Sequence, residues 1–171
     1  IFRIAILNDY FEIVAINDLN DSLESIVYLL KYDSIHGNLD LPIKIEEGYI
    51  IINDVKVKVF HESSIHNVPW NNLGVEIVVG CTGDIENVEN AKKCLGSITK
   101  KIVFSDSPDK VDHTFVFGVT DKNYEHEKHH VVSASICDVV GLAPPLKKLH
   151  DKFGIRNGHI TTLHPWLAYQ N

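Results

Sequence analysis

Cys137 and His164 are the two residues whose types and spacing best suit covalent chemistry. The apolar pattern predicts a helix that runs from near Cys137 to Gly154, followed by a strand over residues 159–164. A helix of about 16 residues advances roughly 24 Å, and a strand of about 7 residues returns roughly 23 Å. If the strand runs back along the helix, it brings His164 to Cys137.

A cysteine at a helix N-terminus meets unpaired N–H groups and the positive end of the helix dipole, which favour thiolate over thiol. A histidine within hydrogen-bond reach could then hold the ion pair and move protons during nucleophilic catalysis. The same spacing also fits a small buried Cys137 and a hydrogen-bonded strand residue at His164. Spacing alone is therefore compatible with both a catalytic and a structural role for the two residues.

The elements that would position this pair begin with a strand that leads into a helix. Residues 1–7 have the pattern of a helix end, and residues 12–17 that of a buried strand. Asp21 and Glu24 resemble a capping box, and the apolar residues of 23–30 have helical spacing. The start of the chain is therefore predicted to contain a strand that feeds a helix.

Residues 43–60 alternate around two turn-forming pairs, Glu47-Gly48 and Asn53-Asp54, which predicts a small antiparallel excursion. Further strands are predicted over 75–79, 102–104, 115–117 and 131–132, with a helix over 86–95. Strands that alternate with helices indicate a mostly parallel sheet with covered faces. The sequence thus predicts an α/β fold.

Composition excludes several classes of function. The chain has 171 residues, which suits one domain or one domain with the start of a second. Its formal charge is −7, from 16 basic and 23 acidic residues, so the basic surplus that nucleic-acid binding requires is lacking. The apolar runs are far shorter than the ~20 residues of a spanning helix. We therefore expect a soluble protein without nucleic-acid or membrane partners.

The cysteine and histidine patterns argue against a metal centre. Cys81, Cys94 and Cys137 contain no C-x-x-C pair and are odd in number, which favours a reducing, cytoplasmic compartment. The run from Glu125 to His130 is rich in histidine but lacks the fixed spacing of ligands, so it is predicted to be a solvated loop. We expect no metal site.

The chain resembles the glyceraldehyde-3-phosphate dehydrogenase family along almost its whole length. The matching segments are A-I-N-D-L at 15–19, Y-L-L-K-Y-D-S-I-H-G at 28–37, V-P-W at 68–70, C-T-G at 81–83, F-V-F-G-V at 115–119, L-A-P at 142–144, L-H-D-K-F-G-I at 149–155 and T-T-L-H at 161–164. The family's reactive segment reads S-N-A-S-C-T-T-N-C-L-A-P, and residues 133–144 read S-A-S-I-C-D-V-V-G-L-A-P.

The resemblance implies NAD-dependent oxidation of a small aldehyde substrate. Cys137 would add to the carbonyl as a thiohemiacetal, hydride would pass to the nicotinamide, and phosphate would release the thioester. His164 would act as base and electrophilic aid. The resemblance also implies a Rossmann-like NAD-binding domain over 1–135, the start of an α+β catalytic domain over 136–171, and a homotetramer.

Further site residues follow from the resemblance. Asn17 and Asp18 match the place where an acidic residue binds the adenosine ribose, the role expected of an acid after the second strand of a dinucleotide fold. Thr82, Gly83 and Ser105 match positions that line the dinucleotide cleft. A loop acid, a helix cap or ordinary turn residues would account for the same residue types.

The substrate positions depart from the family pattern. Asp138 follows the cysteine where the family has threonine, and a carboxylate about 5 Å from a phosphate charge repels it by roughly 3 kcal/mol per unit charge at a dielectric of 20. Ile136 replaces the preceding serine, and Leu167 and Tyr169 replace two threonines. Trp166 is expected to pack or to line the substrate pocket.

These departures motivate three alternatives: a non-phosphorylated aldehyde, release of the thioester by water, or a degenerate member that serves as a nucleotide-binding regulatory protein. The family register also places the first strand and the G-x-G-x-x-G loop before Ile1. Together with the lack of methionine, this leads us to expect a protein of about twice this length.

Overall fold

A computed structural model describes residues 1–8 and 10–163 of the chain. The chain divides into two compact units, one over Ile1–Ile102 and one from Val103 onward. In the described part of the chain, no helix has both the length and the apolar character that crossing a bilayer requires.

In its described residues, the first unit holds three α-helices and seven complete strands. The helices are α1 (Phe2–Asn8), α2 (Leu23–Lys31) and α3 (Ile85–Asn90), and the strands are β1 (Ala15–Asn17), β2 (Tyr32–Asp33), β3 (Gly37–Asn38), β4 (Ile43–Glu46), β5 (Tyr49–Ile52), β6 (Val55–Phe60) and β7 (Ile77–Gly80). Short 3-10 helices cover Ile65–Asn67, Trp70–Leu73 and Ala91–Cys94. Strand β8 (Lys101–Phe104) begins in this unit.

One sheet of this unit has the order β1-β6-β5-β4. Strands β4, β5 and β6 pair antiparallel, as the alternating pattern predicts, whereas β1 runs parallel to β6 with Ile16 opposite Val59. Asn53 and Asp54 form the second turn with positive φ angles of 48° and 69°, a conformation that these two residue types tolerate well.

Helix α2 covers this sheet and supplies its core. Ile26 of the helix packs in one buried cluster with Ile50, Ile52 and Val59, and these residues are at most 6% exposed. Burial of such side chains stabilises the unit by about 1.5–3 kcal/mol each. The amphipathic stripe predicted over 23–30 therefore has the expected partner.

Several predicted boundaries in this unit are wrong, among them that of the strand predicted over 75–79, which forms at Ile77–Gly80. The strand predicted over 12–17 forms only at Ala15–Asn17, the residues in register with β6, although the Lys58 N–H of β6 also donates to the Val14 carbonyl at 3.0 Å. The helix predicted over 86–95 begins one residue earlier and tightens into a 3-10 turn from Ala91.

The capping box predicted for α2 is also displaced. Ser22 is the N-cap residue, and its Oγ accepts a hydrogen bond from the Ser25 N–H at 3.2 Å. Asp21 is therefore not the cap, because the chain turns into the helix one residue later, where Asn20 Oδ1 accepts the Ser22 N–H.

The second unit contains the end of β8, strands β9 (His113–Thr114) and β10 (Val131–Ser133), and helix α4 (Cys137–Phe153). Strand β10 runs parallel to β9, with Val132 opposite His113. Together with the β1 and β6 pair, this confirms the predicted α/β fold, in which parallel pairing is combined with an antiparallel excursion.

The strand predicted over 115–117 is wrong. The Val116 N–H donates to Thr120 Oγ1 at 2.8 Å, and the Thr120 N–H donates back to the Val116 carbonyl at 2.9 Å. The Phe115 N–H still donates to the Ser133 carbonyl of β10 at 2.8 Å, but the closure by Thr120 draws the chain into a turn from Val116.

Helix α4 ends where predicted, at Gly154, whose φ of 73° suits glycine and whose N–H donates to the His150 carbonyl. The strand predicted after it does not form over the described residues 159–163. Its last predicted residue, His164, lies outside the described residues. Pro144 and Pro145 lie inside α4, and none of its residues is buried.

Candidate active site

The segment between β10 and α4 is held by hydrogen bonds on both sides. Ser133 Oγ donates to the Asp106 carbonyl and accepts the Ser135 N–H at 2.9 Å. The Ala134 N–H donates to the Phe104 carbonyl at 2.8 Å. Ser135 has a positive φ of 65°, a conformation that serine rarely adopts and that these hydrogen bonds hold in place.

Cys137 follows this anchored turn as the first residue of α4, and its side chain is exposed. The preceding residue, Ile136, occupies the N-cap position without a capping side chain, so the first turn of the helix keeps N–H groups without a cap. The Sγ atom of Cys137 donates to Oδ1 of Asp138 at 3.3 Å. The structure thus places a thiol and a carboxylate side by side at a helix N-terminus.

The other cysteines have different surroundings. Cys94 is 4% exposed, and burial raises the pKa of its thiol to about 11. Cys81 is exposed but follows a strand rather than opening a helix. Cys137 therefore combines exposure with a helix N-terminus, the setting that predicts a nucleophile.

His164 and Trp166 lie outside the described residues. The predicted meeting of Cys137 with His164, and the predicted place of Trp166 beside the substrate, thus stay predictions.

Asn17 closes strand β1 against the backbone of Glu62. Its Nδ2 donates to the Glu62 carbonyl at 2.9 Å, and its Oδ1 accepts the Glu62 N–H at 2.8 Å. Both the Nδ2 and the Oδ1 of Asn17 are therefore hydrogen-bonded to Glu62. Through these bonds Asn17 anchors the loop that carries Asp18.

Asp18 is exposed directly after β1. Its N–H donates to the Phe60 carbonyl at 3.0 Å, and its Oδ1 accepts the Asn20 N–H at 2.9 Å. Its own carbonyl faces Nδ1 of His61 at 3.0 Å. Its second carboxylate oxygen accepts no hydrogen bond from the described residues, so it remains available to a hydroxyl group.

Thr82 and Gly83 form the turn after β7. Oγ1 of Thr82 accepts hydrogen bonds from the Asp84 N–H at 3.3 Å and from Nδ2 of Asn87 at 3.1 Å. Gly83 has a φ of 69°, and a Cβ atom added there would meet no described atom within 4 Å. Hydrogen bonds from Asp84 and Asn87 therefore fix Thr82, while the space beside Gly83 is open.

Ser105 is exposed immediately after β8 in the second unit, which also holds Cys137 and Asp138. The first unit holds Asn17, Asp18, Thr82 and Gly83.

Glu62, Asn87 and Ser133 complete these loops, although the sequence patterns did not single them out. Asn87 and Glu62 act across 22 and 45 residues of chain on Ile65 and Asn17, and no local spacing rule reports contacts of that range. A buried asparagine inside an amphipathic helix is the one local signal that could have indicated Asn87.

The histidine-rich run from Glu125 to His130 forms contacts within itself. Lys128 pairs with Glu125, and Nδ1 of His129 accepts the Glu125 N–H at 3.0 Å. Within residues 1–8 and 10–163, no group of three or more His, Cys, Asp or Glu side chains is placed to hold a metal ion.

An α/β fold with parallel strand pairs and polar side chains directly after the strand ends is that of the α/β dinucleotide-binding proteins. Residues 1–88 match the family model described as the NAD binding domain of glyceraldehyde 3-phosphate dehydrogenase. The chain belongs to the glyceraldehyde-3-phosphate dehydrogenase family, which confirms the resemblance of its motifs.

Curated relatives support the same assignment. Glyceraldehyde-3-phosphate dehydrogenase 1 of Bacillus cereus is 39% identical over 166 residues, which cover 97% of this chain and 49% of the relative. Glyceraldehyde-3-phosphate dehydrogenase of Geobacillus stearothermophilus is 39% identical with the same coverage. The enzyme of that name from Chlamydia pneumoniae is 38% identical over 164 residues, or 95% of this chain and 48% of the relative.

The chain spans about half the length of the curated relatives it matches. These relatives carry the name of the dehydrogenase, so the comparisons do not favour the alternatives of another aldehyde substrate or a regulatory protein.

Proposed function

We propose that this protein is an NAD-dependent dehydrogenase that oxidises an aldehyde, glyceraldehyde 3-phosphate in the first instance, through a thiol nucleophile. The observation that carries the proposal is the exposed Cys137 at the first residue of α4, after a turn fixed by Ser133. A nucleophile held at a helix N-terminus meets N–H groups that stabilise negative charge on its sulfur and on a nearby oxygen.

Residues of the first unit fit the adenosine side of NAD. Asp18 offers a carboxylate oxygen to a ribose hydroxyl, and Thr82 offers a hydroxyl beside the open space at Gly83. Ser105 is the corresponding candidate of the second unit, while Asn17 contributes by holding the Asp18 loop. NAD, when bound, supplies a hydride acceptor.

The chain's own residues perform the proton and acyl chemistry. The Cys137 sulfur would bond to the carbonyl carbon as the C=O double bond opens, and the carbonyl oxygen would take the proton that the thiol gives up. His164 would later remove that proton as the hydride passes from the carbon to NAD. The resulting thioester is then cleaved by a nucleophilic oxygen, which regenerates the thiol. Inorganic phosphate is the expected nucleophile of the family.

Asp138 and Trp166 are proposed to face the substrate, and the boundary between nucleotide-binding and catalytic domains is proposed at residues 135 and 136. A homotetramer in the cytoplasm is the assembly and location that family membership favours.

Turnover and labelling together test this function. The full-length protein should reduce NAD with glyceraldehyde 3-phosphate, and Cys137→Ser should lower kcat by at least about a thousandfold, because a serine hydroxyl is a far weaker nucleophile at neutral pH than a thiolate. Cys81→Ser is the matched control, since it removes an exposed thiol from a turn.

Limited alkylation with iodoacetamide provides a second readout, in which Cys137 should be modified before Cys81 and Cys94. Normal turnover by Cys137→Ser, or a Cys137 that reacts no faster than the other two thiols, would contradict the proposal.

A further inference from the structure

Two neighbouring N–H donors fix the orientation of the Thr82 hydroxyl group. A threonine hydroxyl has one hydrogen to donate and two lone pairs that accept. The Asp84 N–H and Nδ2 of Asn87 both donate to Oγ1, so the lone pairs are engaged from the protein side. No described residue accepts the hydroxyl hydrogen, which leaves it as the group that this turn presents outward.

Asn87 is itself fixed in orientation. Its side chain is buried, at 8% exposed for the residue, and Oδ1 accepts the Ile65 N–H at 2.8 Å. Because a backbone N–H can only donate, the amide oxygen must face Ile65 and the NH₂ group must face Thr82. A flip of the amide would place two donors together and leave a buried N–H unsatisfied.

The backbone segment that orients Asn87 also holds the Asp18 loop. Phe60 accepts the Asp18 N–H, Glu62 pairs with Asn17, and Ile65 follows three residues later. A single stretch, residues 60–65, thus ties down the acid after β1 directly and the hydroxyl after β7 through Asn87.

We propose that Asn87 is a positioning residue for the nucleotide. It sets Thr82 as a hydrogen-bond donor toward an acceptor oxygen of the adenosine diphosphate part of NAD. The inference rests on the proposed function, since it assigns a role in cofactor binding. It names a residue that does not touch the ligand and acts through the direction of one hydroxyl.

Asn87→Asp tests the direction of that hydroxyl. A carboxylate still accepts the Ile65 N–H, but it cannot donate to Thr82, so the Thr82 hydroxyl turns inward to donate to the new carboxylate. The turn would then present a lone pair where it had presented a hydrogen. We expect affinity for NAD and for ADP-ribose to fall about tenfold, the value of one hydrogen bond.

Thr82→Val provides a second variant at an exposed position; it removes the hydroxyl itself, together with the acceptor of the Asn87 amide. It should weaken ADP-ribose binding by the same factor, and Thr82→Ser should restore binding. The double variant of Thr82→Val with Asn87→Asp should bind no more weakly than either single variant, because both remove the same hydrogen bond.

Asn90→Ala is the matched control. Nδ2 of Asn90 donates to Ser64 Oγ at 3.3 Å, so this change removes a neighbouring side-chain hydrogen bond and leaves the backbone bonds that orient Asn87 and the Asp18 loop in place. It should leave ADP-ribose affinity unchanged.

Equilibrium titration of the full-length protein with NAD and ADP-ribose distinguishes the outcomes. Unchanged affinity in Asn87→Asp overturns this proposal alone, as does a double variant whose losses multiply, which would indicate charge repulsion by the new carboxylate. Unmodified protein that binds neither ligand overturns the proposed function as well.

Discussion

Oδ1 of Asp138 accepts a hydrogen bond from Sγ of Cys137 at 3.3 Å. A negative charge therefore stands next to the thiol proposed as the nucleophile, at the place where family members have a threonine. A carboxylate there opposes the approach of an anionic attacking group far more than it opposes water.

Removal of this charge should improve the use of phosphate. Asp138→Asn keeps the size of the side chain and removes a repulsion of roughly 3 kcal/mol at a dielectric of 20, which solvent reduces at this partly exposed site. We expect the phosphate concentration for half-maximal NADH production to fall about tenfold.

The matched control is Asp109→Asn, which removes an exposed carboxylate elsewhere in the second unit. If the phosphate dependence of Asp138→Asn equals that of unmodified protein, Asp138 does not face the attacking group. If NADH production is independent of the phosphate concentration in both Asp138→Asn and unmodified protein, the thioester is released by water instead.

Buried Cys94 should make stability depend on pH in alkaline solution. Burial raises the pKa of its thiol to about 11 from an ordinary value of 9.0, so the folded state disfavours the thiolate. The stabilisation is fully present below pH 9 and is lost as pH rises through 11, by about 2 kcal/mol at pH 11.

Urea denaturation at pH 8 and pH 11 measures this loss. The decrease in the free energy of unfolding between the two pH values should be about 2 kcal/mol smaller in Cys94→Ala than in unmodified protein. Cys81→Ala, at an exposed thiol, should behave as unmodified protein does. If the free energy of unfolding decreases equally in all three proteins, burial does not raise the pKa of the Cys94 thiol.

The side-chain amide of Asn17 should contribute to the free energy of unfolding even when no ligand is bound. Asn17→Ala leaves the Glu62 N–H and carbonyl without partners, and such a loss costs about 1–3 kcal/mol. Urea denaturation without nucleotide is the measurement, and Asn38→Ala, at an exposed position on β3, is the control. A stability equal to that of unmodified protein would mean that water replaces both bonds.

Local signals account for the parts of the fold that could be predicted. The antiparallel excursion follows from alternation and from Asn53-Asp54, which adopts positive φ, and the end of α4 follows from Gly154. These features depend on neighbours in the chain, so their residue types carry the information.

Contacts that hydrophobic periodicity does not encode account for the errors. The length of β1 depends on how many residues of β6 lie beside it, and Thr120 removes Val116 from strand pairing through a bond that hydrophobic periodicity does not contain. The position of Cys137 at a helix start was predictable, whereas the orienting role of Asn87 depends on Ile65, which is 22 residues away.

The two prolines of α4 interrupt its backbone hydrogen bonding and so separate the opening of its two ends. Pro144 and Pro145 have no N–H, so two consecutive hydrogen bonds of the helical ladder are absent between its first turn and its last. Fraying that begins at Phe153 therefore meets a break before it reaches Cys137. Opening of the C-terminal turn therefore leaves the turn that carries Cys137 intact.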